Sequence, residues 1–461
     1  MAVDNGKPVA PEAAKTHVKV TGKFSVFPEK RPETARVTLA TFDLPYITFY
    51  YNQKLLVYKG VGEEEGEFAG VVGRMREALV AALEEFYPLA GRLRQDDEGV
   101  LFVDCEGEAP GAEVVVAAAE GVAVVGLAEG EPEEGLIKEV VPYTGVMNME
   151  GLRRPLLAVQ ITKLKDGIAL GCAFNHAVLD GNSTWHFMTS WAELARRAAA
   201  AAADSPVSSP PIHDRSLARA VRVPVTLPDS PAAHELADPN PAPLSALRTR
   251  VFSFPEPTLL RLKSAANSSV PDGGKPFSTF QSLGAHTWRS VTRARGLPPG
   301  DFTVFAVFAD CRTRLRPPLP DSYFGNLIQA VFTATAAGAL LSAPPDFSAG
   351  LLQKAIDAYD AAAITKRLEE YEAAPKMFYY TDAGINCVAV GSSPRFRVYE
   401  VDFGFGRPER VRSGKNNKFD GMMYLYQARD GEKGIDVELT LEEKAMEKLE
   451  KDDDFLLAGD V

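Results

Sequence analysis

A histidine and an aspartate four residues apart, in Phe174-Asn175-His176-Ala177-Val178-Leu179-Asp180-Gly181, are the side chains of this 461-residue chain best suited to moving a proton. An imidazole titrates near neutral pH, so a histidine that ends an apolar run beside a turn suits general acid–base work in a cleft. A lone histidine has a plainer alternative, a core residue whose ring nitrogens are satisfied. Asp180-Gly181 weighs against it by adding a carboxylate and a sharp turn at a fixed offset. His186, ten residues beyond His176, invites a zinc site with Asp180, but this spacing matches no common zinc pattern, and no metal is expected.

A second constellation is Val401-Asp402-Phe403-Gly404-Phe405-Gly406-Arg407-Pro408. It is not a kinase D-F-G, because no H-R-D loop or glycine-rich strand-loop precedes it. It is not a dinucleotide fingerprint either, because the third glycine is missing and Pro408 follows. A tight glycine turn built around the aspartate, with Asp402, Gly404 and Gly406 in structural roles, is the expected reading.

The elements that must hold these residues are legible from apolar spacing. Pro155–Lys163 and Ile168–Asn175 read as strands joined at Asp166-Gly167, a hairpin turn signal, so His176 lies where the second strand ends. A helix from about Ser183 to Ala203 follows. Upstream, order is expected from Val18, with a helix over Ala69–Tyr87 and a strand at Val100–Val103. The acidic runs Glu63–Glu65 and Glu131–Glu134 are expected on solvated loops. Residues 205–243, rich in Pro, Ser, Asp and Ala, separate 1–204 from 244–461 as a crossover linker. The second half predicts a strand at Arg250–Phe254 and a helix at Phe277–Arg295, the latter with a Ser278/Gln281 capping box and a Gly296 stop. A strand at Phe302–Ala309 and one long helix over Phe347–Ala373 come next, then strands at Arg397–Phe403, Asp420–Ala428 and Ile435–Leu441. Strands and helices mixed in both halves predict two α/β domains.

Composition narrows the function classes. A net charge of -12 argues against nucleic acid as partner. The four cysteines, Cys105, Cys172, Cys311 and Cys387, form no C-x-x-C pair, which suits a reducing compartment and excludes a local zinc knuckle. No basic region followed by an apolar one opens the chain, and no run of about 18 apolar residues suggests a transmembrane segment. A cytoplasmic address is the expectation.

The H-x-x-x-D-G pattern at His176–Gly181 resembles the signature shared by CoA-dependent acyltransferases of the chloramphenicol acetyltransferase and peptide-synthetase condensation type. Together with Asp402–Gly406 the chain resembles the plant BAHD acyltransferases over nearly its full length. Further matching segments are Tyr87–Leu93, Phe280–Arg289, and Asp310–Arg314 leading to Tyr323–Asn326. The family pattern reads D-F-G-W-G, and Phe405 departs from it. The segments Thr41–Tyr46, Phe49–Leu55 and Arg412–Gly421 look like the subgroup named for Defective in Cuticular Ridges.

This resemblance implies two similar-sized chloramphenicol-acetyltransferase-like domains, of mixed α/β (α+β) class, around a central solvent channel. Acyl-CoA as co-substrate enters one side and an alcohol or amine acceptor the other, with no permanently bound cofactor and a monomer as the working unit. His176 is implied as the general base, worth about 100- to 10,000-fold in rate. Asp180 is implied to turn from the channel and pair with Arg312, shaping the loop with Gly181. In relatives a Thr-Ser-Trp segment supplies an oxyanion donor. Its equivalent here is Gly391-Ser392-Ser393-Pro394, making Ser392 and Ser393 the candidates, although a surface turn fits them as well. Such a donor is worth about 3 kcal/mol.

CoA also brings phosphates to an acidic protein. The basic run Arg407, Arg410, Arg412, Lys415 and Lys418 is one candidate cradle, with Arg412 and Lys415 foremost; Lys275 and Ser278 at a helix N-terminus are another. The subgroup implies cutin building, with hydroxylated fatty acyl groups or lipid alcohols among the substrates. A hydroxycinnamoyl-CoA transferase and a non-catalytic binding homologue are the alternatives.

Overall fold

A computed structural model describes residues 16–457 apart from 31, 63–65, 108, 134, 200–206, 239–245, 385 and 430–432. Two six-stranded mixed sheets dominate it. The first runs in the order β1 (Lys19–Val26), β6 (Ala112–Ala119), β7 (Leu157–Leu164), β8 (Gly167–Phe174), β3 (Asn52–Lys59) and β13 (Arg410–Ser413). The second orders β11 (Ile328–Ala336), β10 (Phe302–Asp310), β12 (Cys387–Val390), β14 (Met422–Gln427), β15 (Ile435–Glu442) and β9 (Leu247–Phe254). A small third sheet joins β2 (Arg36–Thr38), β5 (Leu101–Asp104) and β4 (Arg92–Gln95). Strand β13 comes from the second half yet completes the first sheet, pairing Ser413 opposite Lys54 on β3.

The β7–β8 hairpin forms at Asp166-Gly167 as the turn residues require, and every residue of β8 is buried. Helices Glu67–Glu85 and Gly181–Ala199 cover the first sheet and lock together where Trp191 Nε1 donates to the Met75 carbonyl at 2.9 Å. The expected end of the second helix, residues 200–203, lies outside the described residues, as do Glu63–Glu65 and Glu134. In the second half, Ser278 caps the helix Thr279–Arg295 through a capping box with Gln281, and Gly296 ends it at φ 67°.

Two expectations fail. The single long helix is two, Pro345–Ala358 and Ala361–Ala373, because Asp360 takes the N-terminal cap position and accepts from Ala363 N–H at 3.0 Å. Arg397–Phe403 is not a strand but a short 3-10 turn at Val398–Glu400 followed by extended chain. Its apolar residues are buried, but side-chain contacts rather than a ladder secure it, with Tyr58 Oη donating to the Val401 carbonyl at 2.8 Å. The described part of the linker is not structureless. It bridges Pro224 to Val100 and Ile212 to Tyr323, and it forms the helix Pro231–Leu236. Among the described residues no helix is long and apolar enough to cross a membrane.

Candidate active site

Strand β8 ends at Phe174, and the chain then turns through Asn175 and His176 before Gly181 starts the next helix. Three asparagines fix that turn. Asn175 Oδ1 accepts from Ala177 N–H at 3.1 Å, and its Nδ2 donates to the Asn148 carbonyl at 2.8 Å. Asn148 Oδ1 accepts from His176 N–H at 2.8 Å, and Asn326 Nδ2 donates to the His176 carbonyl at 2.9 Å. Asn326 is itself anchored on the buried Asp43 at 2.9 Å. The imidazole stacks on Tyr46, with ring centroids 4.7 Å apart and planes within 9°. These partners make the ring's position a consequence of residues distant in sequence.

Asp180 faces away from the imidazole. Its oxygens meet Arg312 at 2.8 and 3.1 Å and accept from Ser183 N–H at 2.9 Å and Leu327 N–H at 3.0 Å. Both side chains of this ion pair are fully buried. Burial by itself pushes the carboxyl up, but Arg312 and the two N–H donors outweigh it and hold Asp180 below the usual carboxylate range. The pair thus caps the helix Gly181–Ala199 and ties it to the second half of the chain. At Gly181 a Cβ would lie 2.9 Å from the edge of the Phe396 ring, so a side chain there would require that ring to shift.

His176 opens on a cavity of about 540 Å³, a size in the usual range for small-molecule sites. Thr41 to Asn52 supply one wall and the second sheet the other, from Ala306 and Phe308 to Met422 and Tyr424. Aromatic rings dominate, with Arg367, Glu370, Lys376 and Asp382 among the lining residues. The imidazole pKa lies below its ordinary value. Burial is the main cause, opposed by the ring's own backbone carbonyl and by Asp180, and reinforced by Lys54. A neutral ring at pH 7 is the form a general base requires. Its Nδ1 is buried without a hydrogen bond of good geometry, although the Asn326 side chain is close enough to favour the protonated ring.

Asp402 accepts from Gly404 N–H at 2.8 Å and Gly406 N–H at 2.9 Å. Both glycines take positive φ, 97° and 102°, which only glycine adopts without strain. Phe403 packs on Tyr58 and Trp191, pinning this turn to the first half of the chain, and none of these turn residues lines the cavity.

Several candidate side chains are engaged elsewhere in the fold. Ser392 Oγ donates to the Leu425 carbonyl at 3.2 Å, Ser393 Oγ accepts from Arg395 N–H at 3.2 Å, and neither lines the cavity. Gly391 just before them does line the cavity, and both hydroxyls are engaged in the turn that follows it. Arg412 is only 2% exposed, and its guanidinium donates to the carbonyls of Leu127, Ala128 and Gly130. It props the end of the helix Val124–Ala128, and its burial leaves almost none of it open to a phosphate in solvent. Arg410 is likewise bound to Asp436 and Lys418 to Glu438, and Arg407 and Lys415 are exposed. Lys275 pairs with Asp357 at 2.6 Å, and Ser278 Oγ is taken by its own helix cap. Neither lines the cavity. His186 is turned to the Ser209 carbonyl at 2.7 Å, and no three metal-ligating side chains converge among the described residues.

Sequence reasoning gave no role to Asn148, Asn175, Asn326 or Tyr46, although Asn175, Asn326 and Tyr46 lie inside the segments singled out at Phe174–Gly181, Tyr323–Asn326 and Thr41–Tyr46.

The sequence profile of the Transferase family matches residues 16–456. The chain is 53% identical over 459 residues to the BAHD acyltransferase DCR of Arabidopsis thaliana, covering 96% of this chain and 92% of that protein. It is 33% identical over 429 residues to a hydroxycinnamoyl-CoA:5-hydroxyanthranilate N-hydroxycinnamoyltransferase of Avena sativa, covering 89% and 92%. Among solved structures, vinorine synthase superposes with a TM-score of 0.71 at 20% identity over 94% of this chain and 96% of that one. The F. sporotrichioides TRI101 complex with coenzyme A and T-2 gives 0.73 at 20% identity over 92% and 98%. At these identities the two structures speak for the fold, which is that of the chloramphenicol-acetyltransferase-like enzymes.

Proposed function

Because the chain belongs to the BAHD acyltransferases of the Transferase family, we propose that it moves an acyl group from a CoA thioester to an alcohol by direct attack, with His176 as general base. One observation carries this reading: His176 lies on the wall of a cavity shared by both halves while Asp180 is turned into a buried ion pair with Arg312. The acceptor hydroxyl loses its proton to Nε2 as its oxygen bonds the thioester carbon. The C–S bond then breaks, and the imidazolium returns the proton to the departing thiolate. No acyl-enzyme is needed.

The acyl groups we assign are hydroxylated fatty acyl chains destined for cutin, on the likeness of Thr41–Tyr46, Phe49–Leu55 and Arg412–Gly421 to the cutin-building subgroup. The largely apolar cavity supports such a chain. Its many rings favour a second reading, hydroxycinnamoyl donors, which the Avena sativa relative takes by name. Purified protein given each acyl-CoA class should release free thiol only when an alcohol is added, and fastest with hydroxylated long-chain donors. Thiol release independent of acceptor would refute direct transfer, and a preference for hydroxycinnamoyl-CoA would establish the second reading.

A further inference from the structure

Attack on a thioester moves an electron pair onto the carbonyl oxygen, and catalysis requires a donor preorganised for that charge. Ser392 and Ser393 do not fill the role. Several other polar groups on the cavity wall are committed elsewhere. Thr41 Oγ1 donates to Glu372 at 2.7 Å, Tyr46 Oη to the Ile328 carbonyl at 3.2 Å, and Asn417 Nδ2 to the Tyr50 carbonyl at 3.0 Å.

Asn52 differs. It begins β3 directly opposite Phe174, two residues before His176, and lines the same cavity. Its Oδ1 accepts from Lys54 Nζ at 3.0 Å, and its Nδ2 donates to no described residue. An amide whose oxygen is held by an ammonium cannot flip without setting NH2 against NH3+, so the Nδ2 hydrogens are directed away from Lys54.

Lys54 is an expensive residue to keep there. It is 3% exposed and makes no ion pair among the described residues. Its ammonium lies 5.6 Å from the centre of the Tyr424 ring, another cavity residue. Burial pulls its pKa down to about 8, with Glu438 opposing and Lys418 reinforcing the shift, so the amine is still charged at neutral pH. A buried cation that orients one amide beside the base has a role that packing does not require.

We propose that Asn52 Nδ2 is the oxyanion donor of this enzyme and that Lys54 is the positioning residue that aims and polarises it. The assignment rests on the acyl-transfer reading with His176 as base. As the acceptor oxygen bonds the carbonyl carbon and its proton passes to His176, the carbonyl pair becomes an oxyanion facing the Asn52 N–H. Collapse re-forms C=O, breaks C–S, and returns the proton from His176 to sulfur.

The test uses the full chain with an acyl-CoA and an alcohol it accepts. Asn52→Asp keeps the shape and the Lys54 contact but replaces the N–H donors with an anionic oxygen, and Asn52→Ala removes the group altogether. Both should lower kcat by about 100- to 1,000-fold, with KM for acyl-CoA changed by less than about threefold. Lys54→Met should lower kcat and also move the acid limb of the pH profile upward, since His176 loses a neighbouring cation. Lys54→Arg should restore both. His176→Ala is measured alongside. If it is inactive while folded Asn52→Asp or Asn52→Ala keeps more than about a third of kcat, the oxyanion assignment is overturned and the base stands. If His176→Ala is itself active, the underlying acyl-transfer reading fails first. A Lys54→Met enzyme with unchanged kcat and pH profile would remove Lys54 from the scheme.

Discussion

Replacing Asp180 by asparagine should unfold more of this protein than it disables chemically. The carboxylate accepts four hydrogen bonds, two from Arg312 and one each from Ser183 and Leu327 N–H, with no exposure to water. An asparagine of the same shape has one oxygen and one NH2. Whichever way it is turned, the NH2 faces a guanidinium or a backbone N–H, donor against donor. Arg312 is left fully buried with Ser183 Oγ, the carbonyls of Tyr323 and Gly325, and, as its one anionic partner among the described residues, Asp310 at 3.2 Å, whose side chain is 51% exposed and a weaker counter-charge. Breaking a buried pair by removing one partner costs about 3–5 kcal/mol, a large share of the total stability of about 5–15 kcal/mol of a folded protein. Urea unfolding should therefore show that loss for Asp180→Asn and a similar one for Arg312→Leu. The double variant should lose less than the sum, by about 0.5–3 kcal/mol. Because the folded carboxyl is held below its ordinary pKa, its contribution is fully present above pH 4 or so and is lost only as pH falls through the lower folded value. The cost of Asp180→Asn should accordingly be flat from pH 5 to 8. Strictly additive losses, or a stable Asp180→Asn protein with kcat abolished, would refute the structural role and give Asp180 a part in proton transfer.

His176→Ala should lower kcat by about 100- to 10,000-fold while leaving the urea midpoint nearly unchanged, because the turn is held by backbone contacts to Asn148 and Asn326 rather than by the ring. Retention of more than about a tenth of the activity would exclude a general base of that size. The log of kcat/KM should rise with pH and level off at a pKa below the ordinary imidazole value, since burial disfavours the charged ring and the base must be neutral. An acid limb centred above pH 7 would point to a different group. Arg412→Glu should destabilise the fold, because it places a carboxylate against the Leu127, Ala128 and Gly130 carbonyls, and should do so more than Lys415→Glu, at an exposed position. If surface charge recruits CoA, Lys415→Glu raises KM for acyl-CoA at low salt and not at high salt; an unchanged KM at low salt removes this segment from the CoA path.

Features decided by neighbours in sequence were legible from sequence. Asp166-Gly167 makes its hairpin turn from two residues, Ser278 and Gln281 make a capping box within one helical turn, and Asp402 closes its own loop through Gly404 and Gly406. The apolar run Ile168–Asn175 places His176 at a strand end for the same reason. Even the pairing of Asp180 with Arg312 came from family likeness, since nothing local in either segment demands the other. What tertiary structure alone decided is which of several chemically equal side chains is buried. Arg412 and Lys415 sit three residues apart in one basic run, yet β13 closes the first sheet and carries Arg412 beneath helix Val124–Ala128 while Lys415 stays outside. Lys54 and Asn52 stand out only once β8 and Tyr424 enclose them. His176 is held by Asn148 and by Asn326, 28 and 150 residues away, and no periodicity reports a contact made across that length of chain. Local rules set backbone geometry over a few residues; desolvation and the charges that survive it depend on what the fold brings alongside.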